Sequence, residues 1–278
     1  MFTFRLLRRV LFYVAIVIVM IWVLLPIVWM ISTAFKPPQE QFTAPPSLFP
    51  VHPTLNNFET IATPWFIRIF SNSLIVASST AALAIIISIL PSYAFARLRF
   101  RGKSQLFYLI IISQIFPLAA LIIPLYIIFS TLNLLNTYSS LIIAYLAFTI
   151  PTAVWLLNGF VRGIPTELEE SAQIDGCSRF GAFIRIVLPL LAPGIVATAT
   201  YVFICAWQEF LFALVLISSD EMKTLTVGIL RFLGQYSYAI DWGAIMAACT
   251  ISSLPVFVLF MLLQRQLVSG LLRGSLKG

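Results

Sequence analysis

The chain has 278 residues, of which 60% are hydrophobic and only 10% charged, and its mean hydropathy is +1.01. A soluble domain of this length has too little interior to hide so much apolar surface, so the composition excludes one and points to a membrane. A net charge of +7 could suit a nucleic-acid binder, but these basic residues stand between long apolar runs, as cations facing an anionic inner leaflet do. Cys177, Cys205 and Cys249 are scattered without metal-ligand spacing, and His52 is the only histidine. Zinc-peptidase signatures and Ser-His or Cys-His relays are therefore disfavoured.

A spanning helix needs about 20 mostly apolar residues, and that length predicts six spans in an all-α polytopic membrane protein. The first covers 10–31 and follows Arg5, Arg8 and Arg9. Its apolar run is too long for a signal core and lacks a small-residue cleavage site, so it is expected to remain as an anchor. A long Pro-rich loop over 35–70 leads to the second span, 72–96, after which come Arg97, Arg99, Arg101 and Lys103. Gly102-Lys103-Ser104 imitates the end of a phosphate-binding loop, but Arg97 stands where such a loop needs its first glycine, so the chain is not expected to hydrolyse ATP. The third span is expected at 105–129 and the fourth at 138–160. Gly159 and Gly163 beside Arg162 suggest close helix packing.

Residues 165–189 read as two short helices outside the bilayer. Thr166 and Glu169 have the spacing of a capping box, in which each side chain satisfies a free amide at the helix start. Gly176 suits the end of that helix because it takes positive φ cheaply. A second helix can begin at Ser178, with Phe180, Phe183, Ile184 and Val187 as an apolar stripe, and Pro189 opens the fifth span, 189–217. That span carries Trp207, Gln208 and Glu209. A carboxylate at this depth avoids lipid, which leaves two roles: a place on a solute path, with Trp207 for stacking and Gln208 for hydrogen bonding, or a structural partner for a polar group elsewhere. The loop 218–242 offers Asp220, Glu221, Lys223, Arg231, Gln235 and Tyr236, and the sixth span covers 243–267.

Charge sets the expected orientation, because Lys and Arg are retained on the cytoplasmic side. Thirteen cations fall at the N-terminus, at 97–103, at 162–185 and from Arg265 onward, against four (Lys36, Arg68, Lys223 and Arg231) on the other side. Both termini and the 165–189 loop are thus expected in the cytoplasm, and the 35–70 and 218–242 loops outside.

Glu170-Ser171-Ala172, three residues, Gly176, nine residues, and Ile186-Val187-Leu188-Pro189 resemble the EAA loop of bacterial and archaeal ABC importer permeases, with Ser171 in place of the middle alanine. The likeness extends to the G-type subunit of maltose-type carbohydrate importers, through 26–36, Tyr93 to Arg97, Phe100 to Lys103, 207–210 and the tail 267–278. Gln208 replaces the Asn of many relatives. The resemblance implies a type I importer transmembrane domain in the bacterial or archaeal cytoplasmic membrane, which translocates a disaccharide, oligosaccharide, polyol or glycoside. It divides the chain into an N-terminal helix and external loop (1–66), a core with the coupling loop (67–267) and a cytoplasmic tail (268–278). It assigns ATPase coupling to Glu169, Glu170, Ser171, Ala172, Asp175, Gly176, Ile186, Leu188 and Pro189. The implied partners are a second homologous permease forming a heterodimer, two ATPase subunits holding ATP and Mg, and an extracytoplasmic solute-binding protein that meets the 218–242 loop. No cofactor is expected on this chain itself. A secondary transporter or channel is the alternative reading, although Glu209 is nearly the only acidic residue within a span and such carriers more often have several. A membrane-embedded enzyme would need a nucleophile with its base, or a metal cluster, and the sequence offers neither.

Overall fold

Long apolar segments fold as helices in lipid because only the backbone is there to satisfy the backbone's own polar groups. The computed structural model describes residues 2–233 and 240–275, with side chains over 8–233 and 240–264, and among the described residues it contains helices and no strand. In chain order the helices are α1 (Phe2–Ala34), α2 (Pro38–Gln41), α3 (Asn56–Ile61), α4 (Pro64–Arg97), α5 (Lys103–Ile112), α6 (Ile122–Thr131), α7 (Tyr138–Arg162), α8 (Glu167–Ile174) and α9 (Arg179–Ala182). They continue with α10 (Leu188–Leu190), α11 (Ala192–Trp207), α12 (Leu211–Leu216), α13 (Leu225–Gly228) and α14 (Trp242–Ser275).

Four of the expected spans are continuous helices long and apolar enough to cross a membrane: Arg8–Ala34 in α1, α4, α7 and Trp242–Gln264 in α14. The other two expected spans, 105–129 and 189–217, are each a pair of helices bent sharply at a short break. The third bends by 91° between Ile115 and Leu118. Phe116 is extended there (φ −69°, ψ 128°), as a residue before proline prefers, and Pro117 has no amide to continue the ladder. The fifth bends by 67° between Leu190 and Ala192, so α11 begins at Ala192 with a proline in its first turn, not at Pro189. It stops at Trp207, and the chain resumes helical form only at Leu211.

By contacts the chain divides into two compact units, one of Met1–Ile67 with Ile229–Leu254 and one of Arg68–Gly228 with Pro255–Gly278. In the first, the side chains of α1 from Val10 to Leu25 are exposed on every face, as befits a helix apolar all round whose surroundings are lipid or another subunit. The loop after α1 is tied down by polar groups. Asn57 donates from Nδ2 to the carbonyls of Ala34 and Lys36 (2.9 and 2.8 Å), and the buried Lys36 donates to Ser47 O at 2.5 Å while lying over the Trp29 ring. Satisfying these groups inside the protein removes the cost of burying them.

The second unit positions the sites. Its core joins Ile85 and Tyr93 of α4, Leu157 and Val161 of α7, and Phe183, Val187 and Leu191 between α9 and α11. The helices α7 and α11 come close at Gly194, where a Cβ would lie 2.5 Å from Phe160 Cγ. The close packing expected at Gly159 and Gly163 is therefore made elsewhere: Gly159 faces open space, and Gly163 ends its own helix against the carbonyl of Phe160.

Candidate functional site

The 165–189 loop is two short helical pieces around a tight turn. Beyond α8, Gly176 at φ +90° lets its amide bond Gln173 O (3.1 Å) and the Cys177 amide bond Ala172 O (2.9 Å), the paired bonds of a Schellman motif. Nothing lies within 4 Å of a Cβ built on Gly176, so the conformation, not crowding, calls for glycine. As expected, Ser178 caps the next helix, accepting from the Gly181 amide at 3.0 Å.

Two expectations about this loop fail for reasons of tertiary structure. The Thr166–Glu169 capping box does not form: the Thr166 side chain caps nothing, and Glu169 turns inward. Its Oε1 accepts from Arg97 Nε at 2.5 Å and its Oε2 from the Tyr93 hydroxyl at 2.8 Å, while Arg97 Nη2 also donates to Ile164 O at 2.6 Å. The side chains of Arg97 and Glu169 are only 11% and 7% exposed, so this ion pair is worth more here than at a solvated surface. The apolar stripe also splits. Phe183–Val187 is a π-helical turn, which rotates the face, so Phe183 and Val187 enter the core while Phe180 and Ile184 stay exposed.

The loop therefore presents one surface outward and clamps the other to α4. Ile174 is 85% and Phe180 66% exposed, with Leu168 and Ile184 also outside. Glu170, Ser171, Asp175, Gly176 and Pro189 are exposed, and Ala172, Ile186 and Leu188 are partly buried. Neither Tyr93 nor Arg97 was assigned this role from sequence, although the run from Tyr93 to Arg97 carries the signal: it ends a span with a cation and a phenol one helical turn apart.

At the other break, Trp207, Gln208 and Glu209 part company. Trp207 is buried, stacked on Phe203 (centroids 5.6 Å apart) and edge-on to Phe70 at 5.5 Å. Glu209 sits where the chain is not helical, and its carboxylate accepts from the amides of Phe212 (2.9 Å) and Ala213 (3.2 Å), capping α12. Gln208 and Glu209 line a cavity of about 410 Å³ together with Gln114, Thr149, Thr152 and Tyr201, whereas Trp207 does not line it. The wall also has the rings of Phe116, Phe148 and Phe212, and it contains no Lys, Arg or His. Besides the Glu209 carboxylate, such a surface offers neutral hydrogen-bonding groups and flat apolar faces, a combination that suits a hydroxylated ligand without negative charge.

The charges of the 218–242 loop that the structure describes are largely engaged. Glu221 pairs with Arg68 (3.2 Å) and Lys223 with Asp220 (2.5 Å), while Asn72 Nδ2 holds the carbonyls of Glu221 and Lys223. Arg231 lies over the Trp65 ring. Gln235 and Tyr236, and the side chains of the tail from Leu267 to Gly278, lie outside the described residues.

A family model described as "Binding-protein-dependent transport system inner membrane component" matches residues 84–273. The chain is 38% identical over 267 residues to the sulfoquinovosyl glycerol transport system permease protein SmoH of Agrobacterium fabrum, covering 96% of this chain and 93% of that one. It is 37% identical to the diacetylchitobiose uptake system permease protein DasC of Streptomyces coelicolor, with 94% and 95% covered. It is 35% identical to the trehalose/maltose transport system permease protein MalG of Thermococcus litoralis, with 98% of each chain covered. In fold it is similar to a chain of a bacterial ABC transporter involved in the import of the acidic polysaccharide alginate, with a TM-score of 0.76 at 19% identity over 93% of this chain and 96% of that one.

Proposed function

Because the chain belongs to the family of binding-protein-dependent transport system inner membrane components, we propose that it is the permease of an ABC importer for a neutral, sugar-like solute. The relatives above are permeases of systems named for a glycoside, a chitobiose derivative and two disaccharides. The cavity beside Gln208 supports a solute without negative charge, since the Glu209 carboxylate lines it and no cation does. The chain itself carries out no chemistry in this scheme.

The observation that carries the coupling role is the two-sided 165–189 loop. Its outward apolar side chains, Ile174 and Phe180 foremost, form the surface on which an ATPase subunit docks. Its inner face is locked to α4 through Arg97, Tyr93 and Glu169, so a displacement of the loop moves the end of a spanning helix with it. Two ATPase subunits bind the ATP and Mg, a second homologous permease completes the pathway, and an extracytoplasmic binding protein delivers solute to the 218–242 loop. The distribution of basic residues supports a reading in which both termini and the coupling loop lie in the cytoplasm.

Affinity purification of the tagged chain from its native membrane tests this. The wild type should retain an ATPase subunit, and Ile174→Glu with Phe180→Glu should reduce that retention at least about tenfold while the chain still inserts, since desolvated apolar anchors dominate such contacts. A chain that takes up labelled sugar alone in proteoliposomes, with no ATPase and no response to ATP, would refute the reading.

A further inference from the structure

The basic segment after α4 does more than bias topology. A cleft of about 490 Å³ opens where α4 ends and α5 begins, with Lys103 and Arg162 on its wall and the rings of Phe95, Phe100, Phe107 and Tyr108 beside them. Phe95 anchors the aromatic side, packing on Phe100 at 5.9 Å and on Phe107 at 5.3 Å. Lys103 spends one donor on Leu98 O (2.9 Å), which fixes its ammonium at the cleft and leaves its other two N–H groups free for a ligand.

The charge here is uncompensated. No Asp or Glu occurs between Glu59 and Glu167, and the one nearby carboxylate that turns inward, Glu169, is taken by Arg97. Among the described residues Arg162, Arg99 and Arg101 form no ion pair. The amides of Ser104 and Gln105 in the first turn of α5 add donors of the same sign, the Lys103 amide being taken by Phe100 O. From the cleft the exposed apolar side chains of Leu106, Leu109 and Ile112 continue along α5 in the direction of the bilayer. Cations beside aromatic rings, with an apolar track leading away, match a phosphate headgroup, its glycerol and an acyl chain in that order.

We propose that this cleft binds one anionic phospholipid of the cytoplasmic leaflet, with its phosphate between Lys103 and Arg162 and its acyl chain along α5. Bound there, the lipid touches α5, the end of α4 and the last turn of α7. These are the helix ends next to the Arg97–Glu169 pair, so lipid occupancy would bias the coupling loop's anchorage. The choice of leaflet rests on the orientation proposed above, but the binding itself does not.

The test uses the complete transporter, released from vesicles of phosphatidylcholine with or without phosphatidylglycerol and weighed by native mass spectrometry. One phosphatidylglycerol should stay with each copy of this chain, and Lys103→Gln with Arg162→Gln should lower its retention about thirtyfold, each basic residue losing its usual attraction for an anionic lipid. Arg99→Gln with Arg101→Gln, outside the cleft, should change retention no more than about threefold. Should the first pair prevent assembly, Arg162→Gln alone is read, with about a fivefold loss expected. Undiminished phosphatidylglycerol in the cleft variant, or phosphatidylcholine retained equally by the wild type, would overturn the proposal. Displacement of the lipid by inorganic phosphate would also overturn it, in favour of a free-anion site. Because retention does not depend on which side the cleft faces, a wrong orientation would appear only in the thiol-labelling experiment below.

Discussion

Glu169 and Glu209 hold two departures from straight spanning helix, and they do so by opposite means. Glu169 reaches across the fold to a cation and a phenol on α4, whereas Glu209 turns back on its own chain and satisfies the amides that open α12. The first is a tertiary clamp whose loss strands a buried charge; the second is a local cap whose loss frees two amides beside the cavity. The loop proposed to transmit force is thus bolted to another helix through its side chain, whereas the Glu209 carboxylate is satisfied by its neighbours in sequence and only its carbonyl is held from afar, by the Thr226 hydroxyl at 2.7 Å.

The largest effect should come from breaking the clamp. Arg97→Ala leaves Glu169 buried without its cation and should cost about 3 kcal/mol of stability, read as a lowered thermal midpoint of the solubilised transporter and as ATP hydrolysis without uptake. Adding Glu169→Gln should restore part of the stability but not the coupling, because a neutral amide tolerates burial and Tyr93 can still donate to it. Full additivity in this double-mutant cycle would mean the two side chains do not interact.

Removing the cap should matter less. Glu209→Ala should cost about 1 kcal/mol through α12 and lower uptake at unchanged assembly, while Glu209→Gln, which keeps an acceptor, should retain most of both. Equal losses from the two substitutions would show that the negative charge itself serves the solute path. In the coupling loop, Gly176→Ala should cost about 1 kcal/mol from the left-handed backbone alone, with no steric penalty, since the space beside it is open. A larger drop in ATPase retention than in stability would then locate Gly176 on the docked face.

The smallest energetic effect and the sharpest topological one come from labelling. In a Cys205→Ser, Cys249→Ser background stripped of ATPase, Cys177 should react with an impermeant thiol reagent only in inverted vesicles. Reaction from the outer face of sealed cells would invert the orientation and move the coupling surface to the wrong side for an ATPase.

What could be read directly from the sequence was local. Apolar length marked the spans, and a glycine at the end of an amphipathic turn announced the Schellman bond pattern at Gly176. A serine before Arg179 announced a helix start, because each of these signals acts within one helical turn. Prolines were less informative. Pro26, Pro91, Pro151 and Pro255 all lie inside continuous helices, yet the chain bends by 91° at Pro117, so the residue type alone does not decide where a span breaks. Spacing likewise offered Glu169 a partner three residues away in Thr166, and tertiary structure gave it Arg97, 72 residues away. The physical reason is burial: once α4 and the coupling loop pack together, the guanidinium of Arg97 is taken out of water, and only a carboxylate brought to the same place offsets that cost, whereas the free amides at the start of α8 remain open to solvent.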